Sequence, residues 1–121
     1  MKDLPGMIVS DKDNRKYWEA STLPARIVLD KDLPFERIDQ KCKVILVDIS
    51  IINDLFEAIR YIQANQPGSR IIVVHATPTW KFIRAVLESG ASDLIRKTSH
   101  PDEIFKRISS LTNNLLSNHA R

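Results

Sequence analysis

The chain has 121 residues, 43% hydrophobic and 27% charged, which suffices for one folded domain with a closed core and not for two. Its net charge of +3 and pI near 9.2 raise the question of nucleic acid. Yet the basic residues are interleaved with acids, as in Lys12-Asp13-Asn14-Arg15-Lys16 and Asp30-Lys31-Asp32, with no aromatic-studded basic stripe, so direct nucleic-acid binding is not expected. Apolar runs such as Val44 to Val47 and Ile71 to Val74 are too short to span a membrane, and Met1 to Gly6 lacks the order of a signal segment.

Met7 to Ser10 reads as a first strand running into Asp11-Lys12-Asp13. A short helix is expected from Asn14 to Leu23, capped by Asp13 and stopped by Pro24, followed by a strand from Ala25 to Leu29. Pro34, with Glu36, Ile38 and Asp39 after it, predicts a brief second helix. The lone cysteine, Cys42, has no partner for an internal disulfide, which fits a reducing cytoplasm. Its neighbours Lys41 and Lys43 would activate an exposed thiol; the plainer reading is a strand-edge cysteine without a role.

Val44 to Val47 is a β-branched strand ending at Asp48. Leu55, Ile59 and Ile62 mark a helix, with Asn53 as its cap and 65–69 as its exit turn. Ile71 to Val74 is a fourth strand, and Thr77-Pro78 opens a fourth helix carrying Trp80, Ile83, Val86 and Leu87 and ending at Gly90. Leu94-Ile95 makes a fifth strand closed by Lys97. Pro101, Asp102 and Glu103 open a last helix with Ile104, Ile108, Leu111 and Leu115 on one face. Strands apolar on both faces and alternating with helices predict a parallel sheet covered on both sides, a three-layer α/β sandwich. The expected domain is 1–121, with 1–6 as leader, 7–112 as core and 113–121 as a frayed tail.

In such sheets function lies beyond the carboxyl ends of the strands, where strand order reverses. Asp11, Asp48 and Lys97 all fall at strand ends. In a flavodoxin-like order of 2-1-3-4-5 the two aspartates meet in one crevice, with Lys97 reaching over. Paired carboxylates there suit a hard cation such as Mg²⁺; one can act as nucleophile toward a phosphoryl group, with the lysine neutralising its oxygens. Asp13 is close enough to Asp11 to compete for its place.

The run from Val44 to Lys97 resembles the response-regulator receiver domain, the CheY-like family. The likeness is strongest from Ile71 onward, through Glu88-Ser89-Gly90-Ala91-Ser92-Asp93-Leu94-Ile95-Arg96-Lys97. The resemblance implies a phospho-acceptor at Asp48, a Mg²⁺-binding acid at Asp11 and a phosphoryl-contacting lysine at Lys97. It implies as partners a histidine kinase or phosphotransfer protein and a downstream protein. It also implies a homodimer face made by the fourth helix, fifth strand and fifth helix, in a cytoplasmic signalling module that is no enzyme beyond its own phosphoryl transfer and hydrolysis.

The departures from the family's pattern share a direction. Ser10 stands where the family has a second acid, His75 where it has a switch hydroxyl, Leu94 where it has a switch aromatic, and Thr98 where it has a proline. The segment Ile49 to Leu55 lacks the usual methionine-proline and aspartate-glycine pairs. A histidine cannot make the small hydroxyl's move, and Leu94 has no ring to rotate. The alternative is therefore a pseudo-receiver that binds partners without phosphorylation. His75 either enters the crevice or packs at the strand end. Trp80 is either an exposed interaction residue or half-core, and Tyr17 and Trp18 read as packing residues. A nucleotide- or flavin-binding protein is the remaining rival, with no glycine in Asp11 to Lys16 to cradle a phosphate.

Overall fold

Short runs of β-branched and aliphatic residues build the sheet: β1 (Met7–Ser10), β2 (Arg26–Leu29), β3 (Val44–Asp48), β4 (Arg70–His75) and β5 (Asp93–Arg96). The computed structural model describes residues 5–22, 25–35 and 42–119, with side chains described as far as residue 110. All pairings are parallel, in the order β2-β1-β3-β4-β5. The first and third strands are neighbours, with Ser10 beside Asp48. The expected flavodoxin-like topology is therefore the observed one.

Strand alternation divides the core in two. Met7, Val9, Ile45, Val47, Ile71 and Val73 face α2 (Ile52–Asn65) and α3 (Trp80–Glu88), which contribute Leu55, Ala58, Ile59, Ile62 and Val86. Ile8, Val44, Leu46, Ile72 and Val74 face α1 (Arg15–Glu19) and α4 (Pro101–His119), which contribute Trp18, Ile104, Phe105 and Ile108. Both faces of β3 and β4 are thus removed from water, which is why these strands read as unbroken apolar runs.

The helices depart from expectation in several places. The helix predicted over Asn14 to Leu23 is only α1, with Asn14 rather than Asp13 at its cap position and no side-chain cap bond. Five residues close barely more than one turn, so α1 depends on tertiary anchors more than on its own hydrogen bonds. Pro34, expected at a helix start, lies inside a 3-10 segment, Asp30–Phe35, and the rest of the expected helix lies outside the described residues. Pro24, Glu36, Ile38, Asp39 and Lys41 lie outside the described residues.

Ile51 rather than Asn53 takes the cap position of α2. Thr79 rather than Thr77 caps α3, its hydroxyl accepting from the Phe82 N–H at 3.2 Å. The final helix is described as far as His119. The exit from α3 requires Gly90, whose φ is +118° and where an added Cβ would run into the Gln63 side chain. Cys42 is buried, its Sγ–H directed at the Val44 carbonyl at 3.5 Å.

Candidate functional site at the carboxyl ends of the strands

Because β1 and β3 are in register at their ends, Asp11 and Asp48 leave the sheet side by side, and the Asp11 N–H donates to the Asp48 carbonyl at 3.3 Å. Lys97 leaves β5 one residue beyond Arg96, held by its N–H on the His75 carbonyl at 2.8 Å. Its ammonium donates to Asp48 Oδ2 at 2.7 Å and to Asn14 Oδ1 at 2.9 Å, and lies 4.4 Å from the centre of the Tyr17 ring. The structure thus brings Asp11, Asp48 and Lys97 into one crevice.

Two residues of that crevice were not singled out by the sequence as site residues. Trp18, 1% exposed, donates its indole N–H to Asp48 Oδ2 at 2.8 Å. Asn14 donates its side-chain amide to Asp11 Oδ1 at 2.8 Å and to Ser50 Oγ at 2.9 Å. A signal for Trp18 was present: a tryptophan buried in a short helix must still place its N–H on an acceptor, and strand-end carboxylates are the nearest supply. Asn14 carried no such signal, since asparagine after a strand reads equally well as a plain helix start.

Asp48 is 4% exposed, and the Lys97 side chain that pairs with it is half-buried. Burial pushes its pKa above the ordinary aspartate value; the Lys97 and Trp18 hydrogen bonds draw it part of the way back, and nearby Asp11 raises it again. Asp11 is similarly engaged. Its Oδ1 also accepts from the Asn14 N–H at 2.8 Å, and its Oδ2 accepts from the Ser50 N–H at 2.8 Å. Ser10, buried next to Asp48, carries the one buried side-chain polar atom without a partner among the described residues.

These contacts test the fit of Mg²⁺. A cation between Asp11 and Asp48 needs carboxylate oxygens turned toward it and an excess of negative charge. Here Asp11 accepts three N–H bonds, Asp48 accepts an ammonium and an indole N–H, and neutral Ser10 adds no charge. The residues as arranged do not fit a divalent cation.

The other predicted positions fall outside this network. His75 faces α3: its Nδ1 accepts from the Thr77 N–H at 3.2 Å, and its ring lies 4.3 Å from that of Phe82. Leu94 packs against the α2–α3 side of the core, on the opposite face of the sheet from Asp48. Trp80 is 78% exposed at the start of α3, so of its two readings the half-core one is wrong. Its helix partner Leu87 is 44% exposed, while Val86 carries the buried side of the helix.

No protein-family model matches the sequence, and no curated protein matches it. Solved structures do. A response regulator from Thermotoga maritima aligns with a TM-score of 0.66 at 18% identity, over 88% of this chain and 96% of its own. The receiver domain of the Francisella response regulator 1452 aligns at 0.60 and 15%, over 92% and 98%. The fold is that of a response-regulator receiver domain. A Burkholderia thailandensis protein provisionally assigned to pilus assembly (cpaE) shares it at 0.62 and 14%, over 88% and 99%. At these identities the likeness carries the receiver architecture alone. Among the described residues no helix is long and apolar enough to cross a membrane.

Proposed function

We propose that this receiver-fold chain is a signalling module of the pseudo-receiver kind, acting by protein–protein contact without phosphorylation of Asp48. One observation carries the reading. The acceptor-position carboxylate is buried, and its Oδ2 already accepts from both Lys97 and Trp18. Freeing that oxygen for a phosphoryl donor would mean displacing both Lys97 and the Trp18 indole, and losing one partner of a fully buried pair costs about 3 to 5 kcal/mol, an upper bound for this part-buried one. His75 and Leu94 point the same way, since neither supplies the hydroxyl or the ring that relays phosphorylation in the family.

The contact surface we assign is the exposed start of α3, where Trp80 stands clear of the core. Aromatic residues so placed anchor protein interfaces. A downstream protein is the expected partner, and no histidine kinase is required. One observation favours the phospho-acceptor reading instead: Asp11, Asp48 and Lys97 do share a crevice.

Acetyl phosphate and beryllofluoride, each with Mg²⁺, separate the two readings when followed by intact mass and by the Trp18 indole N–H resonance. The expected result is no added phosphate and no shift of that resonance. A stoichiometric phosphate, lost in Asp48→Asn, would sink the proposal.

A further inference from the structure

One neutral side chain ties the charged groups of the crevice together. The Asn14 amide nitrogen has two hydrogens, one directed to Asp11 Oδ1 and one to Ser50 Oγ, and its carbonyl oxygen accepts from Lys97. Chemistry dictates this orientation: a flipped amide would set oxygen against the carboxylate and N–H against the ammonium. Every hydrogen-bonding atom of the side chain is therefore used, on residues from three different strand ends. Asn14 is itself held by its N–H on Asp11, and Tyr17 in the helix it opens is tied to the Thr98 carbonyl at 2.9 Å.

We propose that Asn14 replaces a bound cation in this crevice. It satisfies the Asp11 carboxylate, as a metal there would, and its carbonyl oxygen also accepts from Lys97 and so keeps the ammonium on Asp48, where a cation would repel it. The inference rests on the reading of the crevice as one that works without phosphorylation. The charge count agrees. Two carboxylates and one ammonium leave a single net negative charge, and Ser10 adds none, whereas hard-cation affinity grows with the number of charged oxygen ligands. An amide needs no such excess, because it donates to the anion and accepts from the cation at once.

The test uses the full chain with Mn²⁺ alone as a paramagnetic probe, read as selective broadening of the Trp18 indole and Ser50 amide resonances. In the native chain these two signals should broaden no more than those of exposed acidic residues. Asn14→Asp removes the amide donor and adds a third carboxylate. It should broaden both selectively, with an apparent Kd at least about tenfold tighter than the native chain's.

Asn14→Ala removes the bridge without adding charge and should show a smaller gain at the same two signals. It carries the test alone if the aspartate variant does not keep the dispersed Trp18 resonance of the folded state. Selective broadening in the native chain equal to that in Asn14→Asp would overturn the inference, and so would silence in both variants. Either failure bears on the Asn14 bridge alone and leaves the functional reading to the phosphate test. A phosphate on Asp48 would instead overturn the functional reading whatever Mn²⁺ does.

Discussion

Asp48 and its two donors decide the electrostatics of this molecule residue by residue. Burial raises the Asp48 pKa above its ordinary 3.8 in the folded state, so the folded chain binds that proton more readily than the unfolded one. The associated stability is present below the unfolded value and is lost as pH rises through the folded one. Lys97→Met removes what pulls the value down and leaves the carboxylate with Trp18 alone. Its loss relative to the native chain should be small near pH 4 and about 3 kcal/mol near pH 7.5 in urea unfolding. An equal loss at both pH values would mean that Lys97 matters for packing and not for the charge of Asp48. Trp18→Phe keeps the ring and deletes only the donor, and should cost about 2 kcal/mol near neutrality and less in acid. A variant as stable as the native chain at both pH values would show the indole hydrogen bond to be dispensable.

The site was half legible at this scale. Asp11, Asp48 and Lys97 could be placed because a residue that ends an apolar strand in a parallel sheet must sit at the carboxyl edge. Asn14 could not, and Trp18 carried only the general need for an acceptor, because their partners depend on where a five-residue helix rests in space. That position is set by contacts distant in sequence: Tyr17 on Thr98, and Ser21 and Thr22 on the Asp102 carboxylate at 2.7 to 3.1 Å.

Among the elements, the turn after α3 and the cap before it are the local features most open to test. Gly90 has a φ of +118°, and the Gln63 amide lies where a side chain would go while donating to the Gly90 carbonyl at 2.8 Å. Gly90→Ala should therefore cost more than about 1 kcal/mol, against the small gain such a change brings at an ordinary φ. A neutral result in thermal unfolding would mean that the turn relaxes to a negative φ. Thr79→Ala should cost about 1 kcal/mol through loss of the cap to Phe82.

The sequence placed this cap two residues early because Thr77-Pro78 is itself a good cap-and-proline pair. The helix begins only at Trp80, which puts Thr79 at the cap position with its hydroxyl within reach of the Phe82 N–H. Before the predicted second helix, most of which lies outside the described residues, the chain makes a 3-10 segment. Asp30 begins it directly after β2, leaving Pro34 inside the segment rather than at its first residue.

Across the whole molecule, the two tryptophans report on opposite environments. Trp18 is 1% exposed and Trp80 is 78% exposed. Acrylamide should quench Trp80 fully and Trp18 hardly at all, so Trp80→Phe should leave a blue-shifted, quencher-resistant emission. Trp80→Ala should change stability by less than about 0.5 kcal/mol, as expected for a side chain outside the core. A large loss would show that Trp80 supports the fold rather than standing ready for a partner.

The parallel direction of the strands and the burial of both sheet faces were dictated by sequence alone, whereas their order was implied by the likeness to the flavodoxin-like receiver fold. Runs such as Val44 to Val47 and Ile71 to Val74 have no polar face to turn to water, and helices between them force parallel crossovers. That order alone also brings Asp11, Asp48 and Lys97 to one edge. Tertiary structure decided what the edge contains: that Trp18 donates to Asp48, that Asn14 lies between Asp11 and Lys97, that His75 turns to Phe82, and that Trp80 faces outward. The physical reason is one of range. Hydrophobic period is a property of neighbours along the chain, whereas a buried donor finds its acceptor among residues brought close only by folding, as Trp18 and Asp48 are across thirty positions.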